Sequence, residues 1–292
     1  MTHAYASEAY ARAFGHCYEP IFLPQASCWV LKRPIPGSDH FDAMGCYPLS
    51  PIAPDAMLSE DFEMLRALGL VSLVLVTDPF ISPAQDVLAA QFDLAAAYKE
   101  HYVNDFSLPE LYDSKNHRYK VRRALRDCEV RRISLAEFLP EWCALYDALI
   151  TKHQMRGIQA FSHDYFKALC QLEPITFGAF SGGELVSCQL WFEHAGYGYS
   201  HLVASSERGY ELRAAYALYD SSLHYFKERG VRCVDLGGGA GITEASGGLA
   251  MLKKGFSTTS TMCYLCGKIL LPDEYQTLSR GKDKPFFPKY RG

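Results

Sequence analysis

The sequence has no apolar run near the roughly 20 residues that a bilayer-spanning helix requires. Its longest, residues 70–76, is far shorter, which excludes a membrane span. Strong charge of either sign is also missing. The formal net charge is −4 at pH 7, too weak a field to draw DNA, so DNA is not an expected partner. Residues 1–17 mix alanine with His, Glu, Tyr and Arg and lack the apolar stretch of a signal peptide, which points to the cytoplasm. The ten cysteines do not make the dense framework of a small secreted domain. Cys143, Cys170, Cys188 and Cys233 sit in apolar stretches and read as reduced, buried thiols. Only Cys263 and Cys266 have a metal-like spacing. A structural zinc needs four ligands and no second pair stands nearby, so no metal is expected, and the alternation through 261–265 reads as a strand. Internal repeats and low-complexity tracts are absent as well.

What remains is an ordinary globular composition, 49% hydrophobic and 21% charged, over a length suited to two domains of roughly 150 residues. Residues 28–32 form a short strand pattern, broken by Pro34, Pro36 and Gly37 before a turn-rich stretch, 45–54. Residues 61–68 have helical spacing. Residues 70–77 are a Val- and Leu-rich run suited to a strand buried on both faces, 83–99 read as a helix, and 101–106 as a strand. Residues 115–132 hold eight Lys or Arg in eighteen positions. They read as a solvated helix face linking the two halves. The sharper reading assigns Arg118 and Arg122, four apart on one face, to a forked grip on a phosphoryl group of the substrate.

The second half opens with helices at 135–152 and 163–171. Three strands follow, 175–180, 185–192 and 197–204, joined by SGGE and EHAG, short links suited to antiparallel hairpins. A polar loop, 205–211, leads to a helix in which Ala215, Leu218, Tyr219, Leu223 and Phe226 keep helical spacing and Gly230 supplies the end. A strand at 231–236, a Gly-rich stretch at 237–248 and strand character at 254–265 complete it. The string CVDLGGGAG also looks like the first motif of S-adenosylmethionine methyltransferases. Too few residues follow Gly241 to build the parallel sheet that motif opens, and the strands before it form an antiparallel meander. A nucleotide-binding loop fails likewise, since no GK[ST] follows the glycines.

Taken together, SKNHRYKVRRAL at 114–125, GELVSCQLWF at 183–192, HLVASSERGYELRAAYALYDSSLHYFKERG at 201–230, DLGGG at 235–239 and GLAMLKKGF at 248–256 resemble, in order and spacing, the Fem-like branch of the GNAT acyltransferase superfamily. The resemblance implies an α+β (mixed α/β) fold of two GNAT-like domains, a degenerate one at 1–128 carrying the basic helix and a catalytic one at 129–292. Each would be a mostly antiparallel sheet flanked by helices, the second with a parallel strand pair splayed to hold an acyl carrier. It further implies that Ala204, Ser205, Arg208, Gly209, Arg213 and Ala214 receive the carrier's pyrophosphate at a helix amino terminus. Lys253 matches the lysine of the family's GL..FK.GF element, with Leu252 in place of the aromatic residue, and its implied role is to stabilise the oxyanion. Tyr219 stands where relatives place a tyrosine that protonates the departing thiolate. His201 and Asp235 are candidates to accept the nucleophile's proton. Two features depart from the family: Arg208 is followed by glycine at the next position rather than three later, and a coiled-coil insertion is missing. The expected function is acyl transfer from acyl-CoA, a co-substrate rather than a resident cofactor, to an amine or hydroxyl of a small molecule or sugar. The alternatives are an aminoacyl-tRNA donor, with tRNA drawn to the basic stretch, and a catalytically inactive ligand-binding role. Residues 45–54 and 78–80 are the expected acceptor loops.

Overall fold

In the computed structural model, which describes residues 2–15, 17–109, 115–239, 247–282 and 285–292, the chain forms two compact units. One is Thr2–Lys99 with Met262–Gly292, and the other is Glu100–Thr261. The division thus falls at 99/100 and 261/262 rather than at a single point at 128/129. The last residues of the chain return to the amino-terminal unit.

The amino-terminal unit begins with α1 (Glu8–Arg12), β1 (Glu19–Leu23), β2 (Cys28–Pro34) and β3 (Phe41–Gly45), followed by α2 (Ser59–Ala67), β4 (Leu70–Val76) and α3 (Gln85–Gln91). β1, β2 and β3 pair antiparallel, and β3 then runs parallel to β4. β1 and β3 lie in stretches whose sequence reads as irregular. Pro20 is tolerated because β1 ends the strand order and needs no ladder donor on its outer side. The β1–β2 turn is fixed by buried Asp61 of α2, whose carboxylate accepts from Gln25 N at 3.1 Å and Ala26 N at 2.8 Å. Past β3 the parallel contact is prolonged by a bridge between Ser50 and Thr77, and Ser50 N donates to Val76 O at 2.7 Å. A side chain at Gly45 would collide with Ser50 Oγ, so the glycine lets this end of the strand pair close.

The helix expected over 83–99 stops at Gln91, and β5 (Leu94–Asp105) carries the chain into the central unit. Alanine's helix preference in residues 95–97 yields here to ladder formation, a weak local bias overridden by tertiary pairing. There follow α4 (Lys115–Asp127), β6 (Glu129–Ile133), α5 (Leu139–His153), α6 (His163–Leu169), β7 (Ile175–Ser181), β8 (Glu184–His194), β9 (Tyr197–Ser205), α7 (Glu207–Leu212), α8 (Ala214–Glu228), β10 (Cys233–Gly237) and α9 (Gly248–Phe256). The basic stretch is therefore a helix and then a strand. The strand order is β5-β10-β9-β8-β7-β6, with β9 and β10 parallel and the other neighbours antiparallel. Both expected hairpins form. Gly182 and Gly183 have φ of 61° and 85°, Ala195 and Gly196 50° and 80°, the left-handed pair that a two-residue hairpin turn needs. Leu218, Leu223 and Phe226 of α8 pack on Phe177, Trp191 and Val234 of the sheet, and Gly230 takes φ 72° beyond the helix.

β11 (Thr259–Ile269) leads back into the amino-terminal unit, pairs antiparallel with β4, and is followed by α10 (Pro272–Leu278). Strand character at 254–265 thus begins only at Thr259, because residues 248–256 form a helix. Cys263 and Cys266 are both buried on β11, and all ten cysteines are free. The carboxy-terminal residues are tied down by buried Asp42 of β3. Its carboxylate accepts from Arg33 Nε at 2.7 Å, Tyr290 Oη at 2.9 Å and Arg291 Nε at 2.7 Å. Replacing it strands two arginines and a hydroxyl at once. Asp42→Ala is expected to destabilise the protein by about 3–5 kcal/mol, the usual cost of breaking a buried ion pair, read as a lower urea midpoint at unchanged slope.

Candidate acyl-transfer cleft

β9 and β10 touch over only three residues, Tyr197, Gly198 and Tyr199 against Cys233, Val234 and Asp235. Gly198 permits the approach, since a Cβ there would lie 2.7 Å from Val234 Cγ1. Immediately beyond, the β8–β9 register shifts: Trp191 faces Ser200 but Leu190 faces Leu202, which leaves His201 as an extra residue in β9. A bulge of this kind bends its strand. β9 runs on to Ser205 paired with β8 alone, so a fork opens between β9 and β10 just after Tyr199 and Asp235.

One side of the fork faces α8. Ser200 Oγ lies 3.4 Å from Tyr219 Oη and 3.4 Å from Gln189 Nε2, and Ser222 Oγ donates to Gln189 Oε1 at 3.4 Å. Tyr219 is fully buried, stacked on Phe256 at 5.7 Å, and burial raises its phenol to about 12. It keeps its proton at neutral pH and serves as a hydrogen-bond donor. The other side carries Asp235. Val234 belongs to the core under α8, so Asp235, the next residue on the strand, points to the opposite face. Its carboxylate accepts from Gly237 N at 2.7 Å and meets His101 Nδ1 of β5 at 2.9 Å. The β5–β10 register shifts between Asp235 and Gly237, and Gly237 takes φ 77°. This glycine kink turns its N–H back onto the carboxylate.

Lys253 of α9 donates from Nζ to Gly238 O at 2.8 Å, and a Cβ at Gly237 would stand 2.9 Å from that nitrogen. The ammonium is thus held at the open end of β10. α9 is itself anchored by His117 of α4, whose ring meets Phe256 edge-on at 4.5 Å and occupies the space a side chain at Gly255 would need. His201 projects elsewhere. Its Nε2 lies 3.0 Å from Tyr165 Oη of α6, with Phe192 at 5.2 Å, and burial lowers its pKa to about 3. So depressed a value makes it a poor proton acceptor near neutrality.

The expected carrier loop, 205–211, is mostly helix. Ser206 caps α7 by accepting from Gly209 N at 3.1 Å. Gly209 is pressed against Val186 O, Ser205 Oγ pairs with Ser187 Oγ at 2.7 Å, and Ala204 is buried opposite Cys188, so these three position the loop. Arg213, at φ 58°, joins α7 to α8, and Ala214 begins α8. Arg208 is exposed and pairs with Glu211 at 3.0 Å. Arg118 and Arg122 are exposed on α4, which packs against α8. An open cavity of about 640 Å³ beside β6, lined by Arg131, Leu135 and Pro174, is separate from the fork. Of the glycine string, residues 240–246 lie outside the described residues, as does Ser114. His101 had no signal in the sequence: it is a lone histidine 134 positions from its partner.

A meander, a parallel pair forked by a bulge, and a helix pair following the bulged strand make a GNAT-like arrangement. Residues 115–242 match the family described as acetyltransferase (GNAT) domain. Over nearly its whole length the chain superposes on several solved structures. The C-terminal domain of a putative lysylphosphatidylglycerol synthetase from Agrobacterium fabrum superposes with a TM-score of 0.63 at 17% identity, covering 94% of this chain and 92% of that one. The crystal structure of FemX gives 0.62 at 13%, covering 93% of each. L-PGS from Bacillus licheniformis gives 0.59 at 13%, covering 90% and 92%. No curated protein matches the sequence.

The buried His201 sets a pH dependence. Its folded pKa, about 3, lies below its ordinary 6.5, so the unfolded chain takes up the proton first. The stability is fully present above pH 6.5 and is lost as pH falls from there toward 3, at up to about 1.4 kcal/mol per unit. Melting curves across this window should be flatter for His201→Gln than for the wild type; equal slopes would remove His201 as their source.

Proposed function

We propose that the protein transfers an acyl group from acyl-CoA to an amine or hydroxyl of a small-molecule or sugar acceptor, by direct attack in a ternary complex. The observation that carries this reading is the bulge-opened fork between β9 and β10, with a protonated phenol on one side and a lysine ammonium at its end. In this reading the thioester arm lies in the fork, and the α7–α8 segment with Arg208 and Arg213 receives the carrier's phosphates. Lys253 stabilises the oxyanion as the tetrahedral centre forms. Tyr219 donates to the sulfur as it departs. The protein acts in the cytoplasm, where acyl-CoA is available.

A second reading takes the acyl group from aminoacyl-tRNA. The exposed Lys115, Arg118, Arg122 and Arg126 on α4 favour it.

Thermal melts with CoA, acetyl-CoA and charged tRNA separate these readings. A ligand at about a hundred times its Kd stabilises the native state by about 2.7 kcal/mol. CoA binding should change little with salt, whereas tRNA binding should weaken roughly a thousandfold or more between about 50 and 200 mM. A shift from neither ligand would sink both. Lys253→Ala should lower kcat for CoA release about 100- to 1,000-fold with little change in Tm, and undiminished turnover would take Lys253 out of the reaction.

A further inference from the structure

Two groups near the fork have no part in the scheme above, His101 and Asp235, and their geometry is that of a proton-accepting pair. Asp235 pairs with Val103 across the β10–β5 ladder, so His101, two residues along β5, lies on the same face and reaches the carboxylate diagonally. Both side chains are buried, at 9% and 5% exposure. The carboxylate is immobilised from two directions, by Gly237 N at 2.7 Å and by His101 Nδ1 at 2.9 and 3.1 Å. A carboxylate accepting from Nδ1 fixes the tautomer with the proton there, which leaves the lone pair on Nε2. Among the described residues nothing hydrogen-bonds to Nε2. Asp235 is also the last residue of β10 to touch β9, so the pair stands at the root of the fork, on the face turned away from α8.

We propose that His101 is the general base of the transfer and that Asp235 is its positioning residue; this rests on the acyl-CoA reading above. Nε2 takes the proton from the acceptor's N–H or O–H as the new bond to the acyl carbon forms. The tetrahedral centre then collapses, the carbon–sulfur bond breaks, and the sulfur leaves with the electron pair. Tyr219 passes its proton to the thiolate and is reprotonated through solvent from the imidazolium, giving acylated acceptor and free CoA thiol. Neither Lys253, whose ammonium is bonded to Gly238 O, nor His201, paired with Tyr165, supplies a basic nitrogen on that face.

The acceptor need not be known to test this. CoA release from acetyl-CoA is measured with water as the nucleophile and again with hydroxylamine, an uncharged amine at neutral pH that attacks without prior loss of a proton. His101→Asn keeps a donor for Asp235 but removes the base, and Asp235→Asn keeps the shape but favours the wrong tautomer. Each variant should lose about 100-fold or more of the water reaction and retain the hydroxylamine reaction within a few-fold, with an acetyl-CoA thermal shift like that of the wild type. Two results overturn the dyad: variants as active with water as the wild type, or variants that lose both reactions equally while still binding acetyl-CoA. A wild type that neither binds acetyl-CoA nor releases CoA with either nucleophile overturns the acyl-CoA reading itself, and this inference with it.

Discussion

Everything in the central unit is arranged around a parallel contact only three residues long. Gly198 lets β9 and β10 come close enough to pair, and the extra residue at His201 ends the pairing at once. Without the first, the strands would not share a sheet; without the second, they would zip shut. Because side chains alternate along a strand, the same short contact divides the polar groups. Ser200 turns to Tyr219 and α8, while Asp235 turns to His101 on the far face. The fork is thus approached by different chemistry on its two sides, a feature set by the backbone before any particular side chain is considered.

The amino-terminal unit repeats the strand order, a meander leading to a parallel pair, and ends it differently. There the pair continues through the Ser50–Thr77 bridge, and Gly45 makes room for the serine. A glycine serves closure in both units, yet only the central one follows it with a bulge. Beyond the end of β4, His3 and Asp78 are buried 3.5 Å apart.

The sequence showed most of the central unit because its signals are local. The short glycine-containing links SGGE and EHAG marked both hairpins, helical spacing marked α8, and the order of pieces marked the fork. It misjudged residues whose fate is decided at a distance. Alanines 95–97 favour a helix and lie in β5, residues 254–256 read as strand and end α9, and Pro20 hid an edge strand. Among the candidate site residues, Asp235, Tyr219 and Lys253 do come to the fork. His201 lies beside it but turns into an aromatic cluster with Tyr165 and Phe192, on the face opposite Ser200. His101 was invisible for a plain reason: a pair between β5 and β10 has no spacing to read.

The return of residues 262–292 to the first unit bears on the order in which the protein can be made. A ribosome delivers β4 long before β11, its antiparallel neighbour. Until then one edge of an apolar strand, Leu-Val-Ser-Leu-Val-Leu-Val, stands without its partner, the condition in which nascent strands adhere to one another. The central unit, wholly encoded between the two, has its complete set of contacts first. The segment translated earliest therefore finishes folding last, and its exposure in the meantime is a hazard imposed by connectivity rather than by composition.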